Sequence, residues 1–126
     1  VDLSREAMHL LELESELRSQ IELAKRHISD RSFGAARETA RKAIASDPAQ
    51  PESYNLLGAL LEIKSDWLEA QRFYRAALDI DPTFKPAREN LDRTTSWNKF
   101  GKIDFGPDQR DTDTSDQGGK EDQDEK

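Results

Sequence analysis

Cysteine is absent, which excludes disulfide frameworks, thiolate zinc sites and cysteine nucleophiles. The compartment stays open, because a cysteine-free chain can work in either redox state. Histidine is scarce: only His9 and His27 are present. No apolar run approaches the ~18 residues that a membrane-spanning helix needs, so direct membrane insertion is not expected. No basic stretch precedes an apolar one, so no signal peptide is visible. The chain opens on Val1, which points to processing or to a piece of a longer protein. The missing targeting signal therefore carries little weight, and the working expectation is a cytoplasmic protein. Gly-rich phosphate loops and the H-E-x-x-H zinc motif are also missing.

Charge is what the chain has in plenty. Charged residues make up 36% of its 126 residues and hydrophobic ones 34%, with a net charge of −7. The charge is uneven. Residues 107–126 hold eight acids and three bases and so carry −5 of that total. Their Ser, Gly, Gln and Asp content predicts a disordered acidic tail. Within it, Asp113–Asp124 has acids at its ends and Gly118 where a calcium loop would turn. The last ligand is Asp instead of Glu, Gln117 is a poor ligand, and no helical pattern flanks it, so no metal is expected. Nucleic acid is also an unexpected partner. Arg37, Arg41 and Lys42 share a helical stretch, but Glu38 and Asp47 interrupt it, as on a solvated face.

The apolar residues recur at helical spacing and never alternate for long, which predicts an all-α fold. Residues 3–29 lack Gly and Pro and read as one long helix, or as two joined without a breaker. Further helices are expected over 33–46, 52–64, 67–80 and about 85–95. Asp47-Pro48 and Asp81-Pro82 stop the second and fourth, since the residue before proline is pushed out of the α region.

Those two stops lie 34 residues apart. Residues 17–50 laid over 51–84 give seven identities: Ser19/Ser53, Leu23/Leu57, Ala36/Ala70, Arg41/Arg75, Ala43/Ala77, Asp47/Asp81 and Pro48/Pro82. A fixed period of this size signals stacked repeats. Residues 51–84 carry Tyr54, Leu57, Gly58, Leu61, Ala70, Tyr74 and Pro82 at the landmarks of the tetratricopeptide (TPR) pattern, and the chain resembles that family. The first repeat is weaker (Gln20, Leu23, Ala24, His27, Ala36, Ala40, Ala43, Pro48), and the third keeps Leu91 but has Arg88 and Asp92 out of pattern.

The resemblance implies a short α-solenoid of antiparallel helix pairs. Its expected parts are an N-terminal helix (1–16) covering the open face of the first repeat, TPR-like repeats at 17–50 and 51–84, a capping helix at 85–96, an aromatic extension at 97–106 and the tail at 107–126. Gly58 and Ala24 would let paired helices approach, with Ala36 and Ala70 opposite them and Tyr54 and Tyr74 filling the spaces between.

Function follows from the same resemblance. First helices of such repeats line a concave groove that binds extended peptides. The lining here would be Arg18, Ile21, Glu22, Lys25 and Ile28, then Asn55, Ala59, Glu62 and Ile63, then Glu89, Asn90 and Arg93. Asn55 would hold a ligand backbone, with Ile21, Ala59 and Ile63 in apolar contact. A related subgroup clamps acidic chaperone C-termini with Lys, Asn and Arg. Its places are filled here by Ile21, Lys25, Leu56, Pro86 and Asn90, so that partner is rejected. Trp97, Phe100, Ile103 and Phe105 belong to no helical stripe; they either fold back over the last helix or dock to a partner or a second copy.

The two histidines are eighteen residues apart, and the many Glu pairs read as solvated helix faces. No enzyme activity, catalytic residue, cofactor or metal ion is expected. The reading is a scaffold or adaptor module that binds another protein or peptide. The alternative is homodimerisation through the N-terminal helix or the 97–105 segment.

Overall fold

The computed structural model describes residues 2–96 and 101–107. Trp97, Phe100 and the stretch 108–126, with its acidic tail and calcium-like motif, lie outside the described residues. The fold is all-α: α1 (Asp2–Ser29), α2 (Phe33–Ser46), α3 (Pro51–Ile63), α4 (Trp67–Ile80) and α5 (Lys85–Thr95), with no strand among the described residues. The helix bounds match the sequence expectation to within about one residue.

Short turns make α1–α2 and α3–α4 two helical hairpins, and within each hairpin the helices pack most extensively on one another. The two turns are built alike. Arg31 (φ 62°) and Ser65 (φ 66°), one period apart, take the left-handed conformation just past the ends of α1 and α3. In the first turn, the Ser32 N–H donates to the His27 carbonyl (2.8 Å) and the Arg31 N–H to that of Ile28 (3.0 Å). In the second, Asp66 donates to Leu61 (2.9 Å) and Ser65 to Glu62 (2.8 Å). This pair of hydrogen bonds satisfies carbonyls that a helix end leaves open. The Asp-Pro stops are also alike. The Asp47 carboxylate accepts from the Ala49 N–H, and the Asp81 carboxylate from the N–H and hydroxyl of Thr83.

Two apolar clusters fill the interior. The first joins Leu17, Ile21 and Ala24 of α1 with Ala36, Ala40 and Ala43 of α2 and Leu56, Leu57 and Leu60 of α3. The second joins Ala70, Tyr74, Ala77 and Leu78 of α4 with Ala87 of α5, flanked by Tyr54, Leu61, Phe84 and Leu91. Small residues sit where helices come closest. A Cβ placed on Gly58 would lie 2.6 Å from the Tyr74 ring, so the glycine is what lets α3 lie against that fully buried tyrosine.

Residues 4–16 do not cover the first repeat. Residues 2–16 form the outer half of one continuous α1, and residues 4–16 are all exposed. No breaker interrupts the stretch, so nothing turns the chain back. The consequence shows at a matched pair: Leu23 is 39% exposed while Leu57 is 7% exposed. Leu57 lies among α1 and α2 residues, whereas the equivalent side of α1 faces water.

Gly58→Ala should destabilise the fold by ~1–3 kcal/mol, because a buried aromatic and a helix backbone must separate. Ser65→Gly should stabilise it by ~0.5–1 kcal/mol, by removing left-handed strain. Urea denaturation followed by helical circular dichroism measures both, and the two changes should have opposite signs.

Candidate functional site

One face of the bundle is made by α1, α3 and α5. On α3 it is a stripe at helical spacing: Glu52, Asn55, Ala59 and Glu62, all buried. Buried charged and amide groups need partners, because stripping water from them costs several kcal/mol. Here each has them.

Glu52 is held by two cations of α1: Arg18 Nη1 at 3.0 Å from one carboxylate oxygen and Lys25 Nζ at 3.0 Å from the other. Arg18 and Glu52 are themselves one repeat apart. Glu62 accepts from the Tyr74 hydroxyl (2.7 Å) and from Arg93 Nη2 (2.9 and 2.8 Å to its two oxygens). Burial pushes the Tyr74 hydroxyl well above its ordinary value, and the hydrogen bond to Glu62 pushes it further. Glu62 thus ties α3 to α4 and α5 at once. Arg93 also donates to Asn90 Oδ1 (3.0 Å), and Asn90 Nδ2 donates to Asn55 Oδ1 (3.0 Å).

Across this stripe runs a strap, residues 101–107. The Asp104 backbone is gripped from both sides. Its N–H donates to Asn90 Oδ1 (2.9 Å), and its carbonyl accepts from Asn55 Nδ2 (2.9 Å) and Asn90 Nδ2 (2.8 Å). The Phe105 ring packs against the first apolar cluster. Gly106 sits at φ 102°, and a Cβ there would lie 2.9 Å from Glu52 Oε2. The Lys25 ammonium donates to the Pro107 carbonyl. The Asp104 side chain accepts from the Gly106 N–H (3.0 Å), closing a local turn. Beside the strap a cleft of about 1060 Å³ remains, walled chiefly by Glu22, Lys25 and Ile28 of α1, Glu89 of α5, and Ile103 and Phe105.

Most residues expected to line a groove do gather here. Arg18, Lys25, Asn55, Glu62, Asn90 and Arg93 join the polar network, and Glu22, Ile28 and Glu89 wall the cleft. Three apolar members differ. Ile21 and Ala59 are fully buried, and Ile63 is 36% exposed at the end of α3. Of the two alternatives for this segment, the described residues 101–107 fold back, and they reach beyond the last helix. Ile103 and Phe105 run across α1 and α3 as well as α5, because the apolar surface that accepts Phe105 belongs to the α1–α2–α3 cluster. Glu52 was not among the expected lining residues. Its signal was present in the sequence: it stands one repeat after Arg18 and three residues before Asn55 on the same helical stripe.

His9 is exposed on the projecting half of α1, and His27 is half-buried at its end. Among the described residues no three His, Asp or Glu side chains converge as metal ligands, and no helix is long and apolar enough to cross a membrane. No family model matches the chain, and no curated protein or solved structure matches it either.

Tyr74 makes stability sensitive to alkali. Its folded-state value lies above the unfolded 10.0, so the stability it contributes is intact below pH 10. It is lost as the pH rises further and the unfolded chain releases a proton that the folded chain keeps. Tyr74→Phe should remove that component. Urea midpoints measured between pH 8 and 11 should fall less steeply for the variant than for the parent chain.

Proposed function

We propose that this chain is a non-catalytic protein-interaction module whose α1–α3–α5 face captures an extended peptide from another protein. The observation that carries the reading is the pair Asn55 and Asn90. Together they offer two amide donors and an acceptor to the N–H and carbonyl of one extended residue. That arrangement holds a peptide by its backbone and leaves selection to neighbouring side-chain sites. Both asparagines are buried and bonded to each other, so they are set in place before a ligand arrives. The resemblance of residues 51–84 to a TPR unit supports the same use of this face.

A displayed peptide library selected on the full chain with its strap opened by Phe105→Ala and Gly106→Ala tests this, because the strap then no longer competes for the same amides. Selected peptides should lose roughly tenfold in affinity in each of Asn55→Ala and Asn90→Ala, since one buried hydrogen bond is worth ~1–1.5 kcal/mol. Unchanged affinity in both variants would move binding away from this face.

A second reading, self-assembly, has its own observation. Met8, Leu10, Leu11 and Leu13 are 61%, 59%, 63% and 49% exposed on the projecting half of α1, more apolar surface than a solvated helix needs. Sedimentation equilibrium should then show a dimer that Leu10→Glu with Leu13→Glu converts to monomer. A monomer at every concentration would contradict it.

A further inference from the structure

The strap is shaped to its seat residue by residue, and the fit is selective. At the first position, Asp104 contributes its backbone to the two asparagines, while its carboxylate accepts from the N–H two residues on. An Asp or Asn at this place pre-forms the turn; an aliphatic residue does not. At the second position, the Phe105 ring reaches the apolar cluster of α1, α2 and α3. At the third, two independent constraints demand glycine. The backbone is left-handed there, and the Glu52 carboxylate would lie 2.9 Å from any Cβ. Glu52 is restrained by the hydrogen bond from Arg18 to its other oxygen and by the ion contact of Oε2 with Lys25.

We propose that residues 104–106, Asp-Phe-Gly, are an internal copy of the ligand. The partner of this face then carries an extended segment of the form Asp/Asn–aromatic–Gly, and it binds by displacing the strap. This rests on the peptide-capture reading and adds to it the ligand's sequence class and its regulation. A tethered copy acts at an effective concentration of the order of millimolar, so a free ligand of ordinary affinity competes poorly until the strap is released. The occupied face is thus the resting form.

The full chain carrying Phe105→Ala and Gly106→Ala should have an open face. The probe is a fluorescent peptide of residues 102–107, capped at both ends. By anisotropy the opened variant should bind it at least tenfold more tightly than the parent chain. Probes with Phe105→Ala or Gly106→Ala should bind the opened variant at least tenfold more weakly than the unaltered probe.

Binding to the opened variant no tighter than to the parent would overturn the proposal. If all three probes bound the opened variant equally and Asn55→Ala abolished that binding, peptide capture would stand and the ligand class would fall. If none bound while circular dichroism showed intact helices, both would fall. A parent-chain dimer that disappears in the opened variant would show straps exchanged between two copies, which overturns the internal copy. Should the opened variant not fold, amide exchange in the parent chain serves instead. Saturating unaltered probe should strip protection from the Asp104 N–H, and protection unchanged by the probe would overturn the proposal.

Discussion

Glu52, Asn55, Glu62 and Asn90 lie out of water on adjoining helices, and buried groups of this kind are tolerated only when partnered. That requirement organises the molecule. Glu62 accepts from Tyr74 and Arg93 and so draws α4 and α5 onto α3. Glu52 draws in the two cations of α1. The asparagines bond each other and retain capacity for one more backbone segment, which the strap supplies. The stripe that holds the helices together is therefore also the surface that grips the strap.

This double use explains why α3 is so extensively buried. Its apolar side, Leu56, Leu57 and Leu60, enters the first cluster, and Gly58 receives the Tyr74 ring. The opposite stripe is polar but equally inaccessible, since the strap lies over it. A polar stripe beneath a strap is a different design from an apolar core. Exposed to water, its groups can be solvated and the helices keep their apolar contacts. The cost of removing the strap falls mainly on its own hydrogen bonds and on the Phe105 contact. Long polar side chains such as Arg18, whose side chain is 42% exposed, contribute little by themselves and gain value from the carboxylate they orient.

Much of the fold was legible in the sequence. The two Asp-Pro stops, the absence of Gly and Pro from 3–29, and the paired alanines at 36/70 and 43/77 marked the helices and their contacts before any coordinates. The polar half of the candidate site was legible too, because the resemblance to the repeat pattern put Asn55 and Glu62 on the lining face of α3. Three things were not. The direction of the first sixteen residues depends on whether a helix bends, and a breaker-free sequence is silent on what it packs against. Ile21 reads as groove lining and as core with equal ease, since its stripe borders both. The path of the strap was hidden because Ile103 and Phe105 have no periodicity. Their place is set by non-local partners, two amides from different helices and a glycine fitting over Glu52. The 34-residue repeat gave no hint of these, because the strap lies outside it.

The most direct test is amide hydrogen exchange at Asp104 in the full chain. Its N–H donates to Asn90 Oδ1 from within the strap, with no secondary structure of its own to protect it. Strap docking predicts exchange slowed at least tenfold relative to an unstructured chain, and protection lost in Asn90→Ala while the α3 core amides keep theirs. Exchange at the unstructured rate in the parent chain would contradict it.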